Sequence, residues 1–235
     1  MSKKFPVGSV AVVLGSSGGI GRAIRDNLVK HNIFHDVIAA SRKTSPKFDL
    51  KSERSIIDLV EAIKQRDREL RLVVDATGLL HNENIFPEKN LRSLTQDALL
   101  ENFLVNAIGP TLCLKHLSPL FPKVGKSVFV SLSARVGSVE DNQLGGWYSY
   151  RASKAALNQL IKTASIELAR GLPDHVSVAI HPGTVSTKLS KPFSKAGLRL
   201  LTPDEAAAKL WEVIEKLESS DTGKFFDNEK RSIPW

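Results

Sequence analysis

Tyr150 and Lys154 are the residues whose types and spacing most directly suggest chemistry, because they lie four residues apart in a segment with helical periodicity. On a helix this spacing places the phenol and the ammonium on one face, whereas Tyr148 points elsewhere. The pKa of free tyrosine is near ~10, and one cation at ~4 Å in an effective dielectric of about 20 can lower it by about three units. Such a pair is common by chance and is then an ordinary surface pair. Beside a nucleotide site, it predicts a general acid or base.

Ser133 and Asn106 are two further side chains that could take part in such a reaction. Ser133 follows the β-branched run at 126–132, at a strand end where α/β sheets bind ligands, and its hydroxyl could orient a substrate oxygen. The alternative is a hydroxyl that satisfies loop backbone. Asn106 lies four residues before Pro110, and because proline has no N–H, the Asn106 carbonyl loses its helical partner. That carbonyl could hold a water that relays protons towards Lys154.

A glycine-rich turn at residues 15–21, with the sequence GSSGGIG, directly follows the first predicted strand. Glycines let a backbone approach a pyrophosphate closely, and the N–H groups at the start of the next helix attract its charge. A glycine cluster alone is equally typical of a simple turn. The strand before it, the helix after it and a second strand about twenty residues further on favour a dinucleotide site.

Ser41, Arg42 and Lys43 end the second predicted strand, where an acidic side chain would accept hydrogen bonds from the ribose 2′-OH of NAD. A hydroxyl followed by two cations suits a 2′-phosphate instead, and a charge-assisted contact from Arg42 is expected to contribute about 2 kcal/mol. We therefore expect NADP(H) as the preferred cofactor, with NAD(H) as the other possibility. Arg42 could also be an ordinary surface loop residue.

Short β-branched runs alternate along the chain with longer segments of helical period, which predicts βαβ units and a parallel sheet. A late helix is well marked, because Thr202 and Glu205 have the spacing of a capping box and Pro203 stands at the first helical position. No composition break divides the chain. Residues 1–235 are therefore predicted to form a single α/β domain, with a Rossmann-type doubly wound parallel sheet of about seven strands. The strand candidates are residues 9–14, 36–41, 71–76, 126–132, 175–181 and 224–227.

The composition argues against several other classes of protein. With 42% apolar and 25% charged residues, the chain is typical of soluble globular proteins. We expect no signal peptide and no membrane span. The single cysteine, Cys113, cannot form an internal disulfide, and we expect a cytoplasmic location. The net charge of +8 comes from scattered lysines and arginines without interleaved aromatics, so we expect neither nucleic acid nor a membrane as a partner.

Taken together, these segments resemble the short-chain dehydrogenase/reductase family over nearly the whole chain. Residues 133–138, 141–142 and 145–150 are similar to the subgroup that contains the C-factor cell–cell signalling protein. The resemblance implies no metal, a catalytic tetrad of Asn106, Ser133, Tyr150 and Lys154, and cofactor contacts at Gly15, Ser17, Gly19, Ile20, Gly21, Ser41, Arg42, Asp49, Leu50, Ala76, Thr77, Gly78, Tyr150, Lys154, Pro182, Gly183, Val185 and Thr187.

The chain departs from the pattern of that family in three places. Leu14 stands where the family usually has threonine, which leaves the backbone donors of the glycine turn unaffected. Asp75 and Thr77 alter the turn that reads Asn-Asn-Ala-Gly in the family. The family's serine lies where this chain has Ala134, one position after Ser133. Because strand residues alternate between faces, Ser133 can serve only if the strand ends or bends before it.

Two functions agree with these features. The first is that of an enzyme, a carbonyl reductase-like, NADP(H)-dependent oxidoreductase that transfers a hydride between the nicotinamide and a small carbonyl or alcohol, with Tyr150 as general acid or base. The second is that of a dinucleotide-binding signalling or regulatory protein with little or no turnover. By resemblance, a homodimer or homotetramer would form through the helices that carry Asn106 and Tyr150. Residues 188–201 would cover the pocket, with an apolar lid or ordinary packing at Phe193, Leu198 and Leu200.

Overall fold

A parallel sheet of six strands forms the centre of the protein. The computed structural model describes residues 4–193 and 200–235. The strands are β1 (Ser9–Leu14), β2 (Phe34–Ala40), β3 (Leu70–Asp75), β4 (Ser127–Leu132), β5 (His175–His181) and β6 (Phe225–Asp227). Their order in the sheet is β2-β1-β3-β4-β5-β6. The order reverses at β1 and β3, so the carboxyl ends of these strands form the crevice in which such sheets bind ligands.

Helices cover both faces of the sheet, which explains why β1, β3 and β4 are buried along their whole length. On one face, Val13 of β1 joins the cluster that holds Leu28 and Trp211. On the other face, Val12 joins the cluster that holds Leu157. The helices are α1 (Gly19–His31), α2 (Glu53–Lys64), α3 (Gln96–Phe103), α4 (Gly109–Leu117), α5 (Tyr148–Leu168) and α6 (Pro203–Glu215). Leu28 lies in α1, Trp211 in α6 and Leu157 in α5, so the two cores lie on opposite sides of the sheet.

The predicted fold class is confirmed, and the expected number of about seven strands is corrected to six. All six strand candidates from the sequence form strands, within two residues at each end. In the part of the chain that the structure describes, no further strand joins the sheet. Residues 41–52 connect β2 directly to α2 and contain no strand.

The helical segment around residues 101–120 is interrupted just before Pro110, whose missing N–H the sequence analysis noted. α3 ends at Phe103, a π-helical turn spans Leu104–Ile108, and α4 begins at Gly109 with Pro110 in its first turn. A π turn inserts extra backbone into a helix and is frequent at functional sites. Asn106 lies in this turn, so its place in the fold is set by the interruption.

The capping box of α6 is confirmed. The Thr202 hydroxyl accepts a hydrogen bond from the Glu205 N–H (3.2 Å), and the Glu205 carboxylate accepts one from the Thr202 N–H (2.7 Å). Among the described residues, none of the helices combines the length and the apolarity needed to cross a bilayer.

Candidate active site

The glycine-rich turn lies between β1 and α1, at the carboxyl edge of the sheet. Gly15 has a left-handed backbone (φ +76°), and a Cβ there would lie 2.9 Å from the carbonyl oxygen of Ala76. At Gly21 a Cβ would lie 2.3 Å from the carbonyl oxygen of Gly15. The N–H of Gly15 donates to the Ala40 carbonyl at the end of β2 (2.8 Å). Glycine is thus required at these two predicted cofactor positions by the close approach of backbone to backbone.

The segment after β5 lies against the start of α1. A Cβ at Gly19 would lie 3.0 Å from Cγ2 of Thr187. Val185 is buried in a small apolar cluster against which Ile20 packs. Predicted cofactor positions from two distant parts of the chain are therefore brought together here. The other predicted contacts of this region are the exposed Ser17, the buried Pro182 and the half-buried Gly183.

Ser41, Arg42 and Lys43 form a tight turn immediately after β2, next to the glycine turn. The Ser41 N–H donates to the Thr44 hydroxyl (2.9 Å), and the Ser41 hydroxyl accepts from the Lys43 N–H (3.1 Å). Ser41 is buried, whereas Arg42 and Lys43 are exposed. Two cations therefore extend into solvent beside the turn that would hold a pyrophosphate.

Asp49 and Leu50 lie just before α2, on the side of the sheet covered by α4. The Asp49 N–H donates to the Ser55 hydroxyl (2.8 Å), which ties the segment to the first turn of α2. Leu50 is buried, and a Cβ at Gly109 would lie 2.8 Å from the Cβ of Leu50. Leu50 thus contacts the start of α4, directly after the π turn.

Ala76, Thr77 and Gly78 continue from β3 and connect the glycine turn with the residues proposed for chemistry. Ala76 approaches Gly15 closely, as described above. At Gly78 a Cβ would lie 3.6 Å from Oδ1 of Asn106 and 3.8 Å from Nζ of Lys154. This short turn therefore places the nucleotide region and the reactive region side by side.

Tyr150 and Lys154 lie in the first two turns of α5, with 9% and 3% of their surface exposed, whereas Tyr148 is 37% exposed. The Lys154 ammonium donates to the carbonyl oxygen of Leu132 at the end of β4 (2.8 Å). It lies 6.0 Å from the centroid of the Tyr150 ring. The phenol and the ammonium are thus both buried side chains of the first two turns of α5.

Burial has the largest effect on the ionisation of both groups. It raises the pKa of the Tyr150 phenol, and it lowers the pKa of the Lys154 ammonium to about 8, with the charge of Asp75 acting in the opposite direction. In the protein without a cofactor, burial therefore outweighs the lowering of the Tyr150 pKa that we expect from Lys154, and that expectation stays a prediction.

Asp75 is a buried carboxyl group at the end of β3 whose importance the sequence did not predict. Burial raises its pKa, while hydrogen bonds from Ser131 and Thr77 and the charge of Lys154 lower it. The Ser131 hydroxyl donates to Oδ2 (2.6 Å), and the N–H of Thr77 donates to Oδ1 (3.1 Å). The hydroxyl of Thr77 also donates to Oδ1. The altered turn after β3 is therefore held by hydrogen bonds centred on one carboxylate.

The side chain of Asn106 is fully buried and links the turn after β3 with α5. Its Oδ1 accepts from the Leu79 N–H (2.7 Å), and its Nδ2 donates to the Leu79 carbonyl (2.8 Å) and to the Ser153 hydroxyl (3.1 Å). Ser153 in turn donates to the carbonyl of Tyr150 (2.9 Å). From the sequence we expected a role for the backbone carbonyl of Asn106. The contacts of its side chain and of Ser153 were not predicted. The position of Ser153, three residues after Tyr150 on the same helix face, was a signal that could have found it.

Ser133 and Ala134 follow the end of β4 and face different surroundings. The Ser133 hydroxyl is buried and donates to Oδ1 of Asn158 on α5 (2.7 Å). Ala134 lies in the apolar cluster that includes Leu80 and Tyr150. The residue that packs beside the phenol at this strand end is thus Ala134. A catalytic role for Ser133 stays a prediction.

Phe193 and Leu189, after β5, pack against the cluster that holds Tyr150, together with Trp147. The rings of Trp147 and Phe193 are 5.4 Å apart, edge to face. Phe193 therefore packs beside Tyr150, which agrees with either a lid or ordinary packing. Leu200 is half-buried, and Leu198 lies outside the described residues. Trp147 was not singled out by the sequence.

The glycine turn at the crevice between β1 and β3 and the helices on both faces of the parallel sheet define a Rossmann-type α/β protein. The chain belongs to the short-chain dehydrogenase family, whose model matches residues 9–198.

Two relatives and one solved structure illustrate this membership. A 1-hydroxy-2-glutathionyl-2-methyl-3-butene dehydrogenase of Rhodococcus sp. (strain AD45) is 30% identical over 239 residues, covering 97% of this chain and 100% of that protein. The C-signal protein of Myxococcus xanthus is 33% identical over 141 residues, covering 58% of this chain and 78% of that protein. The NADPH-bound carbonyl reductase from chicken fatty liver has the same fold, with a TM-score of 0.85 and 22% identity over 99% of this chain and 96% of its own. The predicted family and the likeness to a C-signal relative are confirmed.

Proposed function

We propose that this protein is an NADP(H)-dependent oxidoreductase that reduces a small carbonyl compound or oxidises the corresponding alcohol. The main support is the position of one turn of backbone. Ala76 in that turn contacts Gly15, and Gly78 in the same turn faces Lys154 and Asn106. A nucleotide held at the glycine turn would thus extend towards a buried phenol and ammonium, where a carbonyl can be reduced.

The residues of the glycine turn fit a dinucleotide. Gly18 provides no side-chain cap for α1, and the first turn of α1 contains no acidic residue. The first N–H groups of a helix have no partner within the helix, and no acidic residue of the first turn of α1 competes for them. Because Gly15 and Gly21 carry no side chain, a pyrophosphate can approach these donors closely.

Arg42 and Lys43 support NADP(H) over NAD(H). Both side chains are exposed beside the buried Ser41, next to the glycine turn. A 2′-phosphate would meet two cations and the turn of backbone at residues 41–44, whereas an acidic partner for a free 2′-OH is missing from this turn. The NADPH-bound chicken carbonyl reductase, which shares the fold, also supports this choice.

Tyr150 is the proposed proton donor to the carbonyl oxygen. When bound, NADPH supplies the hydride that the carbonyl carbon accepts. Burial raises the pKa of the Tyr150 phenol, so the phenol is protonated at neutral pH, as a proton donor must be. The ammonium of Lys154, 6.0 Å from the ring centroid, stabilises the negative charge that develops on the phenol oxygen as the proton leaves.

Asn106 and Ser133 are proposed to position other groups of the site. Through Leu79 and Ser153, the Asn106 amide holds the turn after β3 and the first turns of α5 in a fixed relation, and such alignment of reacting groups contributes strongly to rate. A water held at the Asn106 carbonyl would relay protons to Lys154. Ser133 is the proposed hydroxyl that orients the carbonyl, and in that role it would have to leave Asn158.

Replacement of Tyr150 tests this function. We expect Tyr150→Phe to lower kcat for NADPH-dependent aldehyde reduction by a factor of at least ~10², because a general acid typically contributes that much. The measurement is loss of NADPH absorbance with a panel of aldehydes, ketones and quinones. Tyr148→Phe is the matched control, since Tyr148 is the exposed tyrosine of the same helix turn. Equal turnover in the two variants would remove the proposed proton donor.

A second candidate function is that of a dinucleotide-binding regulatory protein with little turnover. The observation that favours it is the packing of Ala134, with no hydroxyl, beside Tyr150, while the hydroxyl of Ser133 is bonded to Asn158. Such a protein would bind NADPH, as measured by calorimetry, and would leave it unoxidised with every member of the carbonyl panel. Oxidation of NADPH by any member at a rate that depends on Tyr150 excludes it.

A further inference from the structure

Trp147 has a backbone conformation that bulky residues rarely adopt. Its φ is +53° and its ψ +42°, and it follows Gly145 and Gly146, whose φ values are +62° and +65°. Three consecutive left-handed residues lead into α5. Left-handed backbone is unfavourable for a residue with a Cβ, and it persists only where the surroundings hold it in place.

Glu88 holds the two residues on either side of Tyr148. It is 3% exposed, and its backbone carbonyl accepts a hydrogen bond from the Trp147 N–H (2.5 Å). Its carboxylate accepts from the Ser149 N–H (3.2 Å) and also from the Ser149 hydroxyl. The Trp147 side chain provides no cap for α5, and the first turn of α5 contains no acidic residue. Glu88 thus supplies the negative charge and the acceptors that the start of this helix lacks.

Arg151 holds the same segment from the other side. Its Nε donates to the carbonyl of Gly146 (3.0 Å), and its guanidinium also donates to the carbonyl of Gly145 (3.2 Å). A Cβ at Gly146 would lie 3.3 Å from the carbonyl oxygen of Glu88. The backbone before α5 is therefore fixed by Glu88, Arg151 and two glycines together.

The result of this arrangement is the position of the Trp147 indole. It packs edge to face against Tyr150, with ring centroids 6.2 Å apart, and against Phe193 at 5.4 Å. Leu80 and Ala134 complete an apolar surface around the phenol. Tyr150 is buried, whereas Trp147 and Phe193 are only half-buried.

We propose that Trp147 and Phe193 select carbonyl substrates that carry a flat aromatic group beside the carbonyl, and that Glu88 is the positioning residue that holds Trp147 for this contact. The proposal rests on the oxidoreductase function proposed above. Aromatic rings favour edge-to-face and offset contacts with centroids 4.5–7 Å apart, and these contacts add to what is gained by burial alone. With Ala134 in place of a hydroxyl, the surface beside the phenol is apolar and suits a ring better than a polar chain.

A pair of aldehydes of equal size tests the selection. Benzaldehyde is planar and aromatic, whereas cyclohexanecarbaldehyde has the same number of ring carbons without the π system. We expect Trp147→Leu to lower the ratio of kcat/KM for benzaldehyde to that for cyclohexanecarbaldehyde by about 2- to 10-fold relative to the unaltered protein, which is the range of one aromatic contact. Trp147→Phe, which keeps a ring, should restore most of the ratio.

Variants of Glu88 test the positioning role. Glu88→Gln keeps an acceptor but loses the charge, so we expect KM for benzaldehyde to rise while kcat changes little. Glu83→Gln is the matched control, because Glu83 is an exposed carboxylate of the same connection. A Glu88→Gln protein with an unchanged KM and an unchanged aldehyde ratio would overturn the positioning role.

A binding measurement separates failure of this proposal from failure of the proposed function. Benzyl alcohol and cyclohexylmethanol are titrated calorimetrically into the NADPH-loaded protein, where neither can react. Weaker binding of benzyl alcohol alone in Trp147→Leu supports the selection, even if no aldehyde is turned over and the oxidoreductase function fails. Equal losses for both alcohols, or no loss, would overturn the selection even if the enzyme is active. NADPH affinity, measured first in each variant, shows that the protein is folded.

Discussion

Lys154 and Asp75 are buried groups of opposite charge, and each favours the charged form of the other. In the folded protein the pKa of Lys154 is about 8, below the usual lysine value of 10.5, because burial removes water from the ammonium. The unfolded chain therefore binds more protons between these two values, and the contribution of Lys154 to the free energy of unfolding rises as the pH is raised through that window. At neutral pH the buried ammonium lowers stability, as functional groups often do.

The charge of Asp75 leads to a prediction for the pH profile. If Lys154 acts as a cation, kcat/KM for carbonyl reduction falls as the pH rises through its pKa. Asp75→Asn removes the carboxylate that raises this pKa. We expect the fall in kcat/KM to begin at a lower pH in the variant, as measured with one aldehyde between pH 6 and 10.

The control for this experiment is Asp58→Asn, a surface carboxylate paired with Arg54 on α2. Its profile should match that of the unaltered protein. An unshifted profile in Asp75→Asn would mean that the group titrating in the profile is not coupled to Asp75.

The candidate site was predictable where its geometry is local. Tyr150 and Lys154 are four residues apart on one helix, so their shared face follows from helix geometry alone. The role of Ser133 could not be predicted, because the direction of its side chain depends on the residue at which β4 ends. The contact between Glu88 and Ser149 joins residues 61 positions apart, and no local pattern indicates it.

At the scale of the elements, the close approach of α1 to the glycine turn gives a second prediction. A Cβ at Gly21 would lie 2.3 Å from the carbonyl oxygen of Gly15, so a methyl group must displace backbone. We expect Gly21→Ala to lower the free energy of unfolding by about 1–3 kcal/mol, a typical cost of overpacking, and to weaken NADPH binding. Urea unfolding and calorimetric titration measure the two effects.

Gly171→Ala serves as the control, because nothing lies within 4 Å of a Cβ at Gly171 and its φ is not in the left-handed region. Its stability should equal or slightly exceed that of the unaltered protein. If Gly21→Ala were as stable as Gly171→Ala, the packing of α1 against the turn would be looser than described.

The fold was predictable because the strands of a sheet covered on both faces are continuous apolar runs, and the runs at 9–14 and 175–181 match β1 and β5 at both ends. The expected seventh strand came from the pattern of the fold class, and no apolar run in the sequence corresponded to it. The missing N–H of Pro110 predicts that the helix is interrupted locally, and it does not predict that the interruption is a π turn. Which helical form the interruption takes depends on what packs around it.

On the scale of the whole molecule, we propose that subunits pair through α4, α5 and the π turn. Ile108 in the π turn and Leu160 on α5 are 45% and 36% exposed. We expect the protein to sediment as a dimer or tetramer at micromolar concentration, and Leu160→Glu to shift it towards the monomer, because a buried unpaired charge opposes association.

Val29→Glu is the matched control for this variant, since Val29 is an exposed apolar residue of α1, away from these helices. Sedimentation velocity distinguishes the outcomes. A monomeric unaltered protein, or an equal shift in both variants, would contradict pairing through this surface.

Gly109 lies between two parts of the candidate site that are far apart along the chain. It begins α4 directly after the turn that holds Asn106, and a Cβ on it would meet Leu50, one of the predicted cofactor contacts. Gly109 therefore lies between one predicted cofactor contact and one predicted catalytic residue. In a library of random variants, we expect substitutions at Gly109 to weaken NADPH binding and to lower turnover at the same time, although Gly109 has no functional group of its own.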